Sequence, residues 1–294
     1  MRSATVNLFG FQHSIIKNCV NLAKYPLTLP GDSAWNDTID GIRQDLAREG
    51  CAILSSFILP EALVRLEAES SAMAINAYYR TEMVNAYNID INTVLPRWHP
   101  GNLTMERGNA FVARDQIPST AIIQQLYTNP LFQSFIADCF QLKRVHELAD
   151  PFSGLVLNVI APGKEHPWHF DTNEFTVSLL TQSPEAGGLF EYCPHIRTAQ
   201  EEHFRDVNAV LRGSRSGRIR KINLCPGDLQ LFMGRYSLHR VSRVEGATTR
   251  HSAIFAYSER RGVIGSPTRT LQLFGRLAPV HTARAVVRND HLLD

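Results

Sequence analysis

The sequence predicts an α+β chain with a β-rich core in its second half. Two observations carry this. From about residue 150 onward, short β-type runs follow one another with turn residues between them; before that point, apolar residues recur at helical spacing. The pattern fits a sandwich, barrel or jelly roll with N-terminal helices packed on the sheet.

The elements follow in order. Residues 1–30 end at Pro26 and Pro30 without a clear period and read as an arm laid on the main body, with residues 31–294 as one domain. Ile39, Ile42 and Leu46 share one face of a helix expected over 37–50, which Gly50 stops, and 51–57 reads as a short strand. Pro60 opens a second helix. Residues 81–115 are interrupted by Pro96, Pro100, Gly101 and Gly108 and read as a binding loop or lid, and helical spacing returns over 119–140. The jelly-roll span is 150–265, with strands expected at 154–160, 168–180, 188–192, 218–224, 229–233, 238–244 and 251–257. A helical tail is expected over 276–294.

Composition narrows the class. The chain has 294 residues, 44% apolar and 20% charged, with 18 Gly and 15 Pro, which excludes disorder, collagen and coiled coil. Lys plus Arg number 30 against 28 Asp plus Glu, and the resulting net charge of +2 is too small for general attraction to nucleic acid. The cysteines at 19, 51, 139, 193 and 225 form no Cys-x-x-Cys pair, which points to reduced thiols and a cytoplasmic location. With no long apolar run and no secretory signal, neither a membrane nor nucleic acid is an expected partner. Oligomeric state stays open.

The chemistry is concentrated in residues 165–171. On a strand, His169 and Asp171 project from the same face, and His239 follows 68 residues after Asp171 in another strand-like segment. Two imidazoles and a carboxylate are the donor set of a facial triad for non-haem Fe(II). A His-x-Asp pair alone suits a structural hydrogen bond equally well. Arg250 and Ser252, 11 and 13 residues after His239, strengthen the metal reading, because a guanidinium beside a hydroxyl suits a deeply held carboxylate. The basic run 212–221 reads as a solvated loop, or alternatively as a flap.

This ordered set resembles the Fe(II)- and 2-oxoglutarate-dependent dioxygenases. Within them, residues 166–171, 187–192 and 237–241 resemble the free amino-acid halogenase and hydroxylase branch, lysine halogenases included. The resemblance implies a double-stranded β-helix, the cupin-like jelly roll. In it His169, Asp171 and His239 bind iron, and Arg250 and Ser252 hold 2-oxoglutarate with help from Asn158. O2 is the third reactant, and succinate and CO2 are released. In the halogenases a small residue replaces the carboxylate and chloride fills the gap, so Asp171 implies hydroxylation of a small metabolite, a free amino acid or derivative. Desaturation or cyclisation on the same site, or a macromolecular substrate, are the alternatives. His166, three residues before the first iron histidine, is an expected substrate contact; Glu191 is expected to face a cationic amine and Arg107 a carboxylate.

Overall fold

The computed structural model describes residues 14–214 and 218–283. Its helices are α1 (residues 14–19 of the described chain), α2 (Ser33–Glu49), α3 (Pro60–Ala74), α4 (Ile122–Tyr127), α5 (Pro130–Cys139), α6 (Phe204–Leu211), α7 (Pro267–Phe274) and α8 (Pro279–Thr282). The first strands are β1 (Cys51–Leu54), β2 (Glu82–Asn85), β3 (Thr104–Arg107), β4 (Asn109–Val112), β5 (His146–Glu147), β6 (Leu155–Ile160), β7 (His166–His169) and β8 (Thr176–Gln182). They continue as β9 (Ala186–Gly187), β10 (Phe190–Cys193), β11 (Arg220–Ile222), β12 (Leu229–Phe232), β13 (Leu238–Val241), β14 (Val244–Glu245), β15 (Arg250–Phe255) and β16 (Tyr257–Ser258).

Two antiparallel sheets dominate. The larger has six strands in the order β1-β12-β8-β15-β6-β4, and the smaller has four in the order β11-β10-β13-β7. Strand alternation gives the larger sheet two different faces. Leu155, Leu157, Val177, Leu179, Leu229, Leu231, Ala253 and Phe255 point outward into the main core, where α2, α3, α4 and α5 cover them. The opposite face turns toward the smaller sheet, where Ile160 and Phe232 pack with Phe190, Tyr192 and Val241. That inter-sheet space also receives polar side chains of the larger sheet, Asn158, Gln230, Arg250 and Ser252, all buried. The far side of the smaller sheet is sealed by α6, whose Val207 and Val210 pack with Trp168 and Phe170.

Local chemistry explains most boundaries. Gly50, in the left-handed conformation at φ 65°, ends α2 by donating its N–H to the Leu46 carbonyl. Asn129 accepts from the N–H groups of Leu131 and Phe132 and, with Pro130 behind it, splits the single helix expected over 119–140 into α4 and α5. Likewise the run expected at 168–180 is two strands, because the chain leaves β7 at His169 and re-enters β8 at Thr176. The irregular stretch 81–115 contains the β2–β3 hairpin and β4, and α6 had no counterpart among the expected elements. The helical tail also differs: α7 starts earlier than expected, at Pro267 with Ser266 as its cap, and Gly275 ends it. Of the expected tail 276–294, only α8 falls among the described residues, and residues 284–294 lie outside them. The start of the arm (1–13) and part of the basic run (215–217) also lie outside them. Among the described residues no helix is long and apolar enough to cross a membrane.

Candidate metal centre and its surroundings

His169 and His239 are direct cross-strand partners in β7 and β13, so two residues distant in sequence present their rings side by side, with centroids 4.1 Å apart. Asp171 lies two residues beyond His169, where its N–H donates to the Gly234 carbonyl at 3.1 Å. Its Oδ1 sits 3.6 Å from His169 Nε2 and 3.4 Å from His239 Nε2. The three donor atoms all lie within 4.8 Å of one another.

The surrounding groups fix which atoms face inward. His169 Nδ1 lies 2.8 Å from the Pro167 carbonyl and His239 Nδ1 lies 2.9 Å from the Ser237 carbonyl. A carbonyl only accepts, so each Nδ1 carries the hydrogen and each Nε2 keeps its lone pair for a cation. Thr176 donates its hydroxyl to Asp171 Oδ2 at 2.7 Å, leaving Oδ1 toward the imidazoles. Burial, with the neighbouring His239 charge adding to it, pushes His169 down to about 3, so its ring is neutral at physiological pH. Burial works against the charge of Asp171, but His239 and the Thr176 hydrogen bond outweigh it and hold the carboxyl below the usual range. Two oriented imidazoles with their Nε2 atoms turned toward a carboxylate fit Fe(II).

Across the gap, Arg250 and Ser252 share the inner face of β15. Arg250 is 4% exposed and its Nη1 donates to Ser252 Oγ at 3.2 Å. Among the described residues that is the guanidinium's hydrogen bond, and no carboxylate neutralises it; burial alone lowers it to about 10. A buried cation without an acid is costly unless an anion arrives from outside. Asn158 lies directly opposite Ser252 on β6, and its Oδ1 accepts from Asn109 Nδ2 at 3.0 Å. The polar set suits the distal carboxylate of 2-oxoglutarate.

The remaining expected contacts divide. His166 joins the centre: between β13 and β7 the register shifts, with His239 and Val241 facing His169 and His166, so an extra residue in β7 forms a bulge. The bulge turns His166 onto the face of His169, where the rings stack at 3.9 Å and 20°. Arg107 also joins. Its pair with Glu82, directly opposite on β2, spans 3.3 Å, and its charge depresses His166, after burial and the charges of His169 and His239.

Glu191 does not join, contrary to expectation. Tyr192 is the residue of β10 opposite His239, so Glu191 falls on the outer face with Arg240. There it binds Arg240 Nη2 at 2.6 Å and Lys221 Nζ at 2.9 Å. Three contributors went unforeseen: Thr176, Gly234 and, through its charge on His169, Arg269. The first two had no motif to mark them. Ser266 and Pro267 are a cap and first-turn signal that the expected tail of 276–294 overlooked, and they do not show where the helix docks.

A family model described as Halogenase D matches residues 34–269. A search of curated proteins found no match. Among solved structures, the chain is similar to a prolyl hydroxylase from Trichoplax adhaerens in complex with a hypoxia inducible factor peptide fragment, at 14% identity and TM-score 0.51, covering 78% of this chain and 94% of that one. AviO1 from Streptomyces viridochromogenes Tue57 aligns at 16% identity and TM-score 0.50 over 74% of this chain and 94% of its own. The epimerase SnoN in complex with Fe3+, alpha ketoglutarate and nogalamycin RO aligns at 13% identity and TM-score 0.50 over 76% and 84%. At such identities these structures share a fold with this chain.

Proposed function

The chain belongs to the Halogenase D family, and from that premise we propose that it is an Fe(II)- and 2-oxoglutarate-dependent oxygenase that hydroxylates an unactivated C–H bond of a free amino acid or close derivative. Succinate and CO2 are the co-products. Two sheets enclosing a polar space, with metal donors on the smaller and an anion clamp on the larger, support reading the fold as a double-stranded β-helix. The observation that carries the function is the pairing of the His169, Asp171, His239 donor set with a buried Arg250 on the facing sheet that meets no carboxylate among the described residues.

Each side chain has a task in this reading. His169, Asp171 and His239 hold Fe(II), which with 2-oxoglutarate and O2 supplies an oxidant able to take hydrogen from carbon. Arg250 and Ser252 grip the distal carboxylate through a guanidinium fork and a hydroxyl. With the Oδ1 of Asn158 engaged by Asn109, its NH2 end is left to a cosubstrate oxygen. His166 is held neutral by burial and by the cations around it, and so meets the substrate as a hydrogen-bonding ring. Arg107 takes a substrate carboxylate, and its Nε and Nη1 are buried without hydrogen-bond partners.

Asp171 supports hydroxylation over halogenation. Its carboxylate is hydrogen-bonded by Thr176 and fitted against Gly234, so the position that a halide takes in the halogenases is filled. The test is to supply Fe(II), ascorbate, 2-oxoglutarate, chloride and a panel of free amino acids. The expected result is succinate with a product heavier by one oxygen, and loss of both in Asp171→Ala. Equal succinate from that variant, or a chlorinated wild-type product, overturns the reading.

A further inference from the structure

Beside the metal centre stands a second cationic wall that the cosubstrate clamp does not use. Helix α7 packs against β4, where Phe274 meets the Phe111 ring at 6.5 Å, and Phe111 in turn meets His166 at 6.4 Å. This places α7, and Arg269 with it, on the His166 side of the centre. Its charge acts on His166, His169 and Asp171, and it lies close enough to Arg107 and Glu82 to feel both. Arg269 Nη1 donates to the Gln272 side chain, and Arg107 Nη2 donates to the Gln272 backbone carbonyl at 2.9 Å, so one residue of α7 ties both guanidiniums together. Arg107 is 3% exposed, with Nε and Nη1 unpartnered, and Glu82 is the carboxylate paired with it.

The charges do not balance without a ligand. At the metal end, the charges of Fe(II) and Arg250 are matched by Asp171 and the two carboxylates of 2-oxoglutarate. At the α7 end, among the described residues, Arg107 and Arg269 share the carboxylate of Glu82, and the other acid that acts on Arg269, Asp171, is committed to the metal. A zwitterionic amino acid can give its carboxylate to Arg107 and its ammonium to Glu82, which leaves the half-buried Arg269 without a carboxylate of its own among the described residues. Low-dielectric surroundings make such a charge costly, and a further anion relieves the cost.

We propose that the substrate is an acidic amino acid carrying net charge −1, with Arg269 as the residue that selects its side-chain carboxylate. This rests on the amino-acid oxygenase reading above and names its substrate class. The test uses the iron-loaded full chain with saturating 2-oxoglutarate. L-aspartate and L-glutamate are compared with L-asparagine, L-glutamine and L-lysine, reading both succinate and product mass.

The expected result is that at least one acid exceeds its amide by about tenfold or more in kcat/KM, as losing a charge-assisted hydrogen bond in a buried site predicts. Arg269→Gln brings that ratio close to one while the KM for 2-oxoglutarate stays put, and Arg269→Lys restores part of the preference. A merely structural role for Arg269 would lower both rates together and leave the ratio intact, which overturns the proposal. So does a preference for lysine or the amides, or glutamate acting only as a competitor of 2-oxoglutarate. Calorimetry separates the levels of failure. If 2-oxoglutarate binds but no acid is oxidised, the acidic-substrate proposal falls alone; if 2-oxoglutarate does not bind, the oxygenase reading falls and takes this proposal with it.

Discussion

Gly234 and Asp171 are fitted to each other: a Cβ built on Gly234 collides with Asp171 Oδ2 and comes within 2.6 Å of its Cγ, while the Gly234 carbonyl accepts the Asp171 N–H. The carboxylate is thus positioned by a residue that contributes no side chain. Gly234→Ala is expected to displace Asp171 and weaken Fe(II) binding by about ten- to hundredfold, the usual cost of disturbing a ligand's support. Iron titration, with circular dichroism to verify the fold, checks it.

Arg250→Gln removes the buried cation while keeping a polar side chain of similar reach. The loss of charge-assisted bonds, about 2–3 kcal/mol, predicts a rise of roughly 30- to 150-fold in the dissociation constant of 2-oxoglutarate. Calorimetry reads it directly, and an unchanged constant counts against Arg250 as the anion clamp. Arg250→Lys is expected to recover only part, because one ammonium cannot reproduce a two-pronged guanidinium grip.

His251, on the outer side of the larger sheet, gives a pH prediction independent of the metal. Burial, with Arg250 adding to it, lowers its pKa to about 4 from the ordinary 6.5. The unfolded chain takes up this proton first, so stability is full above pH 6.5 and falls as pH drops toward 4. Between pH 7.5 and 5 the expected contribution is about 2 kcal/mol. Urea unfolding at both pH values checks this, with His251→Gln expected to flatten that part of the slope.

Glu191→Gln tests the outward placement of that residue. Breaking its bonds to Arg240 and Lys221 is expected to lower the melting temperature while kcat/KM per folded molecule stays within about twofold. A large loss of substrate affinity at unchanged stability would return Glu191 to the site.

The sequence disclosed the site where its chemistry obeys strand periodicity. Arg250 and Ser252 occupy alternating positions and share one face of β15, and His169 and Asp171, though the chain leaves β7 at His169, still bring their donor atoms together. It misled at Glu191, because alternation defines two faces without saying which is the inner one; only the pairing of Tyr192 with His239 decides that. His166 was expected through resemblance, but its route to the site is a bulge, which three residues of spacing do not encode. Thr176, Gly234 and Arg269 act through tertiary proximity, and α6 covers a face whose existence depends on the smaller sheet. None of these leaves a local pattern.

The way α7 is attached separates two kinds of change. His169, His239, Arg250 and Ser252 belong to strands whose register is shared with their neighbours, so altering one disturbs many. Arg269 arrives on an eight-residue helix after the last strand, bounded by Ser266 and Gly275. On the substrate reading proposed above, grafting a different helix between those bounds is expected to change which molecule is accepted while the three donor residues keep their places, which makes this short appendage the natural place for engineering to diversify selectivity.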